Sequence, residues 1–323
     1  MKNINYADAA REAIREEFLR DERTVHLSTD VPIPLRQEFG EARVRATPIS
    51  ESAFVGAAIG LAGAGFRPVV DIRMATFAFV AMDQIVNQAA KITYMFGEQA
   101  RFPILYRMTI GAGTSMAAQH SISPYSMYMN IPGLKIILPS TPYDVKGLLK
   151  TAIRDNNPVI SFEHSALGNV TGEIPDEEYT VPLGQAMIRK EGTDVTVVAL
   201  ARMGYLALEV AEEMEEEGIS MEVIDPLTLV PLDTSAIRAS VAKTGRLLVI
   251  DEACRTCGAA GEVISLVVED DAVFKNLKSA PRRVCGLDVP IPFSPPMERH
   301  VIPDKERLVL ALREVMKHPF SKD

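Results

Sequence analysis

Apolar segments of strand length alternate with helical segments along the first half of this sequence. The predicted helices lie at 5–20, 53–64, 79–95 and 143–155. The predicted strands are Thr24–Ser28, Val44–Ala46, Pro68–Ile72, Pro103–Arg107, Lys135–Leu138 and Pro158–Glu163. Such an alternation is typical of a parallel, doubly wound sheet with helices on both faces. The first half of the chain therefore predicts an α/β fold.

A second alternating series occupies the rest of the chain. Its predicted strands are Asp194–Leu200, Ser220–Asp225, Arg246–Ile250 and Arg283–Cys285. Its predicted helices lie between and after them, at 205–217, 233–243, 260–269 and 303–317. Between the two series, His164–Pro182 loses periodicity, which favours an inter-domain linker. A length of 323 residues, 47% of them hydrophobic, suffices for two cores. We therefore expect two doubly wound domains, at 1–180 and 181–323.

The composition argues against several classes of function. The net charge is -9, and no basic cluster is present that could follow a phosphate backbone, so we expect no nucleic-acid partner. Met1–Arg23 resembles a charged amphipathic helix, and no run of about 18 apolar residues could span a bilayer. The three cysteines cannot all pair, which agrees with a reducing compartment. We expect a soluble cytoplasmic protein without a membrane partner.

The stretch Thr47–Gly65 places one acid, Glu51, at the start of a small, apolar helix. Ser50 is a suitable N-cap residue, and an acid in the first turn complements the helix dipole. Gly56 and Gly60 each cost about 1 kcal/mol relative to alanine inside a helix, so a closely approaching helix or ligand should offset the loss. From these residues alone, Glu51 serves either the helix dipole or a reaction.

Other sequence motifs do not assign a function. The sequence contains no GxxxxGK[ST], no GxGxxG after a strand and no HExxH, so common phosphate and zinc motifs are missing. Cys254-Arg-Thr-Cys257 invites a redox or zinc interpretation, but Cys285 and His300 lie on other predicted elements. We therefore favour structural thiols. We assign no function to the remaining histidines, His26, His164, His300 and His318.

Four ordered motifs together resemble one family. They are Pro48-Ile-Ser-Glu-Ser-Ala-Phe-Val-Gly56, Phe77–Lys91, Ala118-Gln-His-Ser121 and Ala152-Ile-Arg-Asp-Asn-Asn-Pro158. The chain resembles the beta subunit of the thiamine-diphosphate-dependent 2-oxo acid dehydrogenase component, as in pyruvate, branched-chain oxo acid and acetoin dehydrogenases. Val223–Asp233 and Val249-Ile-Asp-Glu252 extend the resemblance over nearly the whole chain. It implies an N-terminal pyrimidine-binding domain and a transketolase-type C-terminal domain.

The resemblance implies roles for three residues. The acid that matches Glu51 hydrogen-bonds the pyrimidine ring nitrogen of thiamine diphosphate, and desolvation in an apolar cleft would let it share a proton with that ring. Phe77 matches the aromatic side chain that lies against the pyrimidine, although packing beside Phe79 is its ordinary interpretation. His120 matches the active-site histidine that steers protons or hydrogen-bonds the incoming lipoyl group.

The resemblance also implies a structural monovalent cation, potassium. The matching positions, which act largely through backbone carbonyls, are Ile104, Ala152, Asp155 and Asn157. Without the resemblance, Asp155–Pro158 is a turn that ends a helix.

Half of a thiamine site is missing from this sequence. Thiamine enzymes generally hold magnesium and the cofactor diphosphate with Gly-Asp-Gly followed about thirty residues later by paired asparagines, and this chain has no such signature. In the family an alpha subunit supplies it, and the cofactor lies across the interface of an α2β2 heterotetramer. The resemblance thus implies an alpha subunit that carries Mg²⁺, a lipoyl acyltransferase partner and an oxo acid or acetoin substrate.

The sequence departs from the family in two places, and two further functions compete. A glutamate near the cofactor is replaced by Thr29, the segment after it is shortened, and Gly-Pro-Asn-Gly is altered to Met108-Thr-Ile-Gly111. One alternative is the C-terminal subunit of a split transketolase, which would transfer a ketol group. The other is a non-catalytic scaffold or regulatory subunit, in which Glu51 and His120 would be dispensable.

Overall fold

A computed structural model describes residues 1–317 of the chain. The chain divides into two compact units. Unit 1 comprises Met1–Ile110 and Met127–Leu183, and unit 2 comprises Gly111–Ser126 and the chain from Gly184 onwards. The segment Gly111–Ser126 therefore belongs with the C-terminal unit although it interrupts the N-terminal one. The predicted boundary after residue 180 remains a prediction.

Unit 1 contains a parallel sheet and a separate pair of short antiparallel strands. The strands are β1 (Lys2–Asn5), β2 (Thr24–Ser28), β3 (Val44–Ala46), β4 (Arg67–Met74), β5 (Leu105–Ile110), β6 (Lys135–Ile137), β7 (Val159–His164) and β8 (Thr171–Ile174). The parallel sheet has the order β6-β7-β5-β4-β2-β3, and β1 pairs with β8. Every residue of β2 is buried, as expected for a strand covered on both faces. The predicted α/β class is confirmed.

Helices flank this sheet. They are α1 (Tyr6–Arg20), α2 (Ile33–Phe39), α3 (Glu51–Gly63), α4 (Ile92–Met95), α5 (Tyr125–Met129) and α6 (Pro142–Arg154). A capping box starts α6, because Asp144 N donates to Thr141 Oγ1 at 3.2 Å and Thr141 N donates to Asp144 Oδ2 at 3.0 Å. Helix α6 packs on α1, and the buried ammonium group of Lys146 pairs with Glu12 and Glu16 of α1 at 2.6 and 2.7 Å.

Unit 2 contains a second α/β layer structure. Its strands are β9 (Met187–Lys190), β10 (Val195–Ala199), β11 (Met221–Asp225), β12 (Thr228–Val230), β13 (Leu247–Cys254) and β14 (Arg282–Gly286). Five of them form a sheet in the order β14-β13-β10-β11-β9, in which only β9 is antiparallel to its neighbour. Its helices are α7 (Met203–Glu216), α8 (Thr234–Thr244), α9 (Ala259–Val268), α10 (Asp271–Asn276), α11 (Pro295–Val301) and α12 (Lys305–Lys317).

Three sequence predictions are wrong in detail. The predicted helix at 79–95 is broken into a 3₁₀ segment (Ala75–Ala81), a π segment (Asp83–Ala89) and α4, because Ala90 N reaches back to Ile85 O at 3.0 Å, five residues earlier. The predicted linker His164–Pro182 contains β8, whose pairing with β1 is non-local and leaves no periodic signal. Pro303 lies before α12 and not in its first turn.

No helix among residues 1–317 is both long and apolar enough to cross a membrane. His318 lies outside the described residues.

Candidate functional site

Glu51 is the first residue of α3, and α3 follows β3 at the carboxyl end of the parallel sheet. Ligands of open parallel sheets bind beyond these carboxyl ends. The side chain of Glu51 is partly exposed, and within residues 1–317 its carboxylate makes no hydrogen bond and no ion pair. Ser50 occupies the N-cap position, as predicted, although its side chain makes no capping hydrogen bond. The carboxylate is thus held at a helix N-terminus and remains available to a ligand.

The two glycines of α3 have different surroundings. A Cβ on Gly56 would lie 3.4 Å from Gln84 Cγ, so this glycine faces unit 1 itself. A Cβ on Gly60 would have nothing within 4 Å. Gly60 lies beside the exposed residues Ala53 and Ala57 on the outer face of α3. The outer face therefore combines small side chains with exposure, which would permit close approach of another helix.

Phe77 lies in the 3₁₀ segment that follows β4, and its ring is half-buried. The Ser52 hydroxyl donates to the carbonyl of Val80, which ties the first turn of α3 to this segment. Glu51 and Phe77 are consequently carried by two elements that pack on each other in unit 1. Phe79, the neighbour expected to share a core with Phe77, is 38% exposed. The structure thus does not place these two rings together in a buried core.

Charged residues that the sequence interpretation missed line a cleft of about 480 Å³ near the carboxyl ends of β4, β5 and β7. They include Arg73, Arg107 and Glu163. A register shift in the pairing of β4 with β5 precedes Arg73, whose φ of 70° is left-handed. The backbone is therefore irregular at Arg73, and such irregularities are common beside functional sites. A polar residue at a strand end was the only sequence signal for this cleft.

His120 lies in the segment Gly111–Ser126 of unit 2, and its side chain is partly buried. A turn holds its backbone, since His120 N donates to Ala117 O at 3.2 Å. The backbone of Gly111 contacts Ile122 O at 3.5 Å and brings the two limbs of the segment together. We call Gly111–Ser126 the histidine loop.

Acidic side chains of unit 2 hold both limbs of the histidine loop. In the first limb, Ala112 N donates to Glu252 Oε1 at 2.6 Å, and Gly113 N donates to Glu298 Oε1 at 2.8 Å. In the second limb, the hydroxyl of Tyr125 donates to Asp251. Burial raises the pKa of Asp251 to about 6, and the hydrogen bond from Tyr125 only partly offsets this increase. Asp251 and Glu252 lie within the buried strand β13, directly after its apolar run, which was a usable sequence signal, whereas Glu298 had none.

The predicted potassium residues lie close together in unit 1. Asp155 is the C-cap of α6, Asn157 N donates to Asp155 Oδ1 at 2.8 Å, and the carbonyl of Ile104 accepts from Val159 N at 2.8 Å. Ala152 is buried in the last turn of α6. The carbonyls of Ile104 and Asp155 already accept hydrogen bonds, from Val159 N and from Arg67.

Two cationic side chains already contact Asp155. Arg67 Nη1 donates to Asp155 O at 2.9 Å, and Lys135 Nζ pairs with Asp155 Oδ2. An additional ion would share the Asp155 carbonyl with a guanidinium and would meet the repulsion of two positive charges. The two positive charges beside Asp155 do not favour a bound cation.

The cysteines do not form a metal site. Cys254 and Cys257 are exposed, Cys285 is buried, and all three are free thiols. Within residues 1–317, no group of three or more His, Cys, Asp or Glu side chains could hold a metal ion. The interpretation as structural thiols fits the burial of Cys285 but not the exposure of the other two.

Comparisons with known proteins identify both parts of the chain. Residues 2–169 match the family described as "Transketolase, pyrimidine binding domain", and residues 184–308 match "Transketolase, C-terminal domain". A solved structure described as "Split gene transketolase, inactive beta4 tetramer" has a TM-score of 0.79 at 23% identity and covers 98% of this chain and 99% of its own, which supports the fold.

Curated relatives align along their full length. The acetoin:2,6-dichlorophenolindophenol oxidoreductase subunit beta of Bacillus subtilis (strain 168) is 41% identical over 98% of both chains. The 2-oxoisovalerate dehydrogenase subunit beta of the same organism is 38% identical over 98% of this chain and 99% of its own. The pyruvate dehydrogenase E1 component subunit beta of Rickettsia felis is 38% identical over 97% of this chain and 98% of its own. The chain therefore belongs to the family of beta subunits of thiamine-diphosphate-dependent 2-oxo acid and acetoin dehydrogenases.

Proposed function

We propose that the chain is the beta subunit of a thiamine-diphosphate-dependent 2-oxo acid or acetoin dehydrogenase, which cleaves its substrate and passes the acyl group to lipoamide. The observation that carries the proposal is the position of Glu51, an acid without a partner among the described residues, at the first turn of α3 in a pyrimidine-binding domain. A carboxyl group placed in this way can hold or give up a proton at the edge of a heterocyclic ring.

Three side chains of this chain have roles in the proposal. Bound thiamine diphosphate supplies a carbon nucleophile and an electron sink. Glu51 would hydrogen-bond a ring nitrogen of the pyrimidine and would hold a proton there. Phe77 would offer its half-buried aromatic face to the pyrimidine. His120 would donate a hydrogen bond to substrate or accept a proton from it, because a neutral imidazole has one donor and one acceptor nitrogen.

An alpha subunit completes the site in this proposal. It supplies the Mg²⁺ and the diphosphate-binding groups, for which this chain has no motif. The exposure of large apolar side chains in unit 1 supports the proposal of a protein partner. These side chains lie around the elements that carry Glu51 and Phe77. They are Ile49 (86%), Val80 (65%), Tyr94 (87%), Met95 (71%) and Phe96 (60%). Apolar surface of this extent marks interfaces, and we propose an α2β2 heterotetramer that binds a lipoyl acyltransferase.

The experiment is to purify the complex of this chain with its alpha subunit and to measure turnover of acetoin, pyruvate and branched-chain oxo acids. Lipoamide and an artificial electron acceptor should be compared as oxidants. We expect turnover only with both subunits, Mg²⁺ and thiamine diphosphate. Turnover by this chain alone would contradict the division of the site.

The same measurement separates the two alternative functions. Ketol transfer between sugar phosphates, with no reaction of any oxo acid or of acetoin, would indicate a split transketolase. Full activity of a complex that carries both Glu51→Gln and His120→Ala would indicate a non-catalytic subunit.

Potassium is a separate part of the proposal. The carbonyls of Ile104, Ala152, Asp155 and Asn157 would hold the ion, and no step of the reaction depends on it. Because Arg67 and Lys135 already contact Asp155, K⁺ should stabilise unit 1 only weakly. Equal melting temperatures in KCl and in choline chloride of the same ionic strength would argue against the site.

A further inference from the structure

The first limb of the histidine loop has a strained backbone. Four of seven consecutive residues have positive φ: Gly111 (95°), Gly113 (102°), Ser115 (55°) and Ala117 (59°). Glycine adopts this conformation readily, whereas serine and alanine pay a steric cost. Such a backbone persists only where its surroundings hold it.

Glu298 is the side chain that holds it. Glu298 lies on α11 and is 2% exposed. Its Oε1 accepts a hydrogen bond from Gly113 N at 2.8 Å. Ser115 N lies 3.2 Å from Oε1 and 3.1 Å from Oε2, and Ser115 Oγ lies 3.4 Å from Oε2. A buried carboxylate that accepts backbone N–H groups makes charge-assisted hydrogen bonds. Glu298 thus holds two positions of positive φ, Gly113 and Ser115, of which the serine carries a steric cost.

Two further acids hold the same loop on each side. Glu252, which is 7% exposed, accepts from Ala112 N at 2.6 Å, just before the residues that Glu298 holds. Asp251 accepts from the hydroxyl of Tyr125, five residues after His120. His120 therefore lies between anchored limbs, and carboxylates that accept backbone N–H groups anchor the first limb.

We infer that Glu298 is a positioning residue, which fixes the histidine loop so that His120 meets the substrate in one orientation. The inference rests on the proposed function of His120. Without Glu298, the N–H groups of Gly113 and Ser115 lose a buried acceptor, and the positive φ angles lose their support. The loop then samples conformations in which the imidazole is displaced, and a displacement of about 1 Å can reduce turnover about 100-fold.

The test uses the complex with the alpha subunit and the variant Glu298→Ala, with Glu262→Ala as the control. Glu262 is an exposed acid on α9 of the same unit. Two properties are measured on the same preparations. Hydrogen exchange reports on peptides within 111–126, and kinetics report kcat and KM for the best substrate.

We expect Glu298→Ala to raise amide exchange in 111–126 about tenfold or more and to lower kcat about 10- to 100-fold, with KM within about threefold of wild type. Glu298→Gln keeps one acceptor oxygen for Gly113 N and should recover part of both losses. If Glu298→Ala does not fold, the same two measurements on Glu298→Gln test the inference. Glu262→Ala should change neither property.

Two results would overturn the inference. The first is unchanged exchange in 111–126 in Glu298→Ala and Glu298→Gln. The second is increased exchange with unchanged kcat, which would leave Glu298 a purely structural residue. Failure of the proposed function would look different, since the wild-type complex would then show no thiamine-dependent turnover while the exchange measurement would still be readable.

Discussion

The guanidinium of Arg107 donates to both carboxylate oxygens of Glu163, at 2.8 and 2.6 Å, where the neighbouring strands β5 and β7 approach their carboxyl ends. Asp71 of β4 lies 3.6 Å from the same guanidinium. Burial alone would lower the pKa of Arg107, but the two carboxylates outweigh burial and raise it. The paired guanidinium of Arg107 therefore joins three adjacent strands at the wall of the cleft that Arg73 also lines.

Glu163→Gln should destabilise unit 1. The substitution leaves Arg107 largely desolvated with only the more distant Asp71, and breaking a buried pair on one side costs about 3 kcal/mol. Urea unfolding of the purified chain measures the loss. Glu98→Gln, which removes an exposed pair with Arg101, should cost less than about 0.5 kcal/mol. Equal losses in the two variants would contradict the role of the buried pair.

His26 should make unit 1 sensitive to acid. It is fully buried in β2, burial lowers its pKa from 6.5 to about 4, and Asp71 and Arg107 contribute opposing smaller effects. Because the folded pKa is the lower one, the unfolded chain takes up the proton first as the pH falls. Stability is therefore complete above pH 6.5 and is lost progressively between pH 6.5 and 4.

The variant His26→Leu tests whether His26 causes this loss of stability in acid. From pH 7.5 to pH 5 the wild-type chain should lose about 2 kcal/mol of unfolding free energy that His26→Leu does not lose. His300→Gln, at an exposed position, should follow the wild type. Parallel pH profiles for wild type and His26→Leu would show that His26 does not titrate as its burial implies.

Gly133→Ala should be strongly destabilising. A Cβ at this position would lie 1.9 Å from the carbonyl oxygen of Ala90, and φ is +100°. The backbone must move, and we expect a loss of more than about 2 kcal/mol in the unfolding free energy. Gly97→Ala is the matched control, because its φ is +61° and a Cβ there meets nothing within 4 Å. It should cost only about 1 kcal/mol.

Gly60→Leu should separate folding from assembly. The exposed glycine has room for a side chain in this chain, and leucine favours a helix over glycine by about 1 kcal/mol. The melting temperature of the isolated chain should therefore stay the same or rise. Association with the alpha subunit should weaken, because the added side chain fills the outer face of α3.

Size-exclusion chromatography of the two subunits together measures this effect. Gly60→Ala should be intermediate, and Ala272→Leu, on the exposed part of α10, should assemble normally. Normal assembly of Gly60→Leu would exclude the outer face of α3 from the interface.

The sequence was sufficient to predict those elements whose structure depends on the local pattern of residues. The strands Thr24–Ser28 and Val44–Ala46 were predicted with their observed bounds, because each is a short β-rich run between helical segments. The start of α3 near Glu51 followed from a polar residue before an apolar run. The predicted mixed α/β fold with two transketolase-type domains is likewise confirmed.

Features that depend on distant contacts could not be predicted. The pairing of β1 with β8 joins residues about 170 apart and leaves no periodic trace. The π segment Asp83–Ala89 has the same apolar spacing as an ordinary helix over so short a length. Glu298 looks like any acid near a helix start until the fold brings the histidine loop to it.

The most direct measurement of the central claim is thiamine-dependent turnover of the complex that carries Glu51→Gln. Glu51 is partly exposed and makes no hydrogen bond or ion pair among the described residues, so the variant should melt at the wild-type temperature. Its turnover should fall about 100-fold or more, because proton transfer by a positioned side chain contributes about 10²- to 10⁴-fold. Glu262→Gln should keep full turnover. Full turnover in Glu51→Gln would contradict the assignment of this carboxyl group to the cofactor.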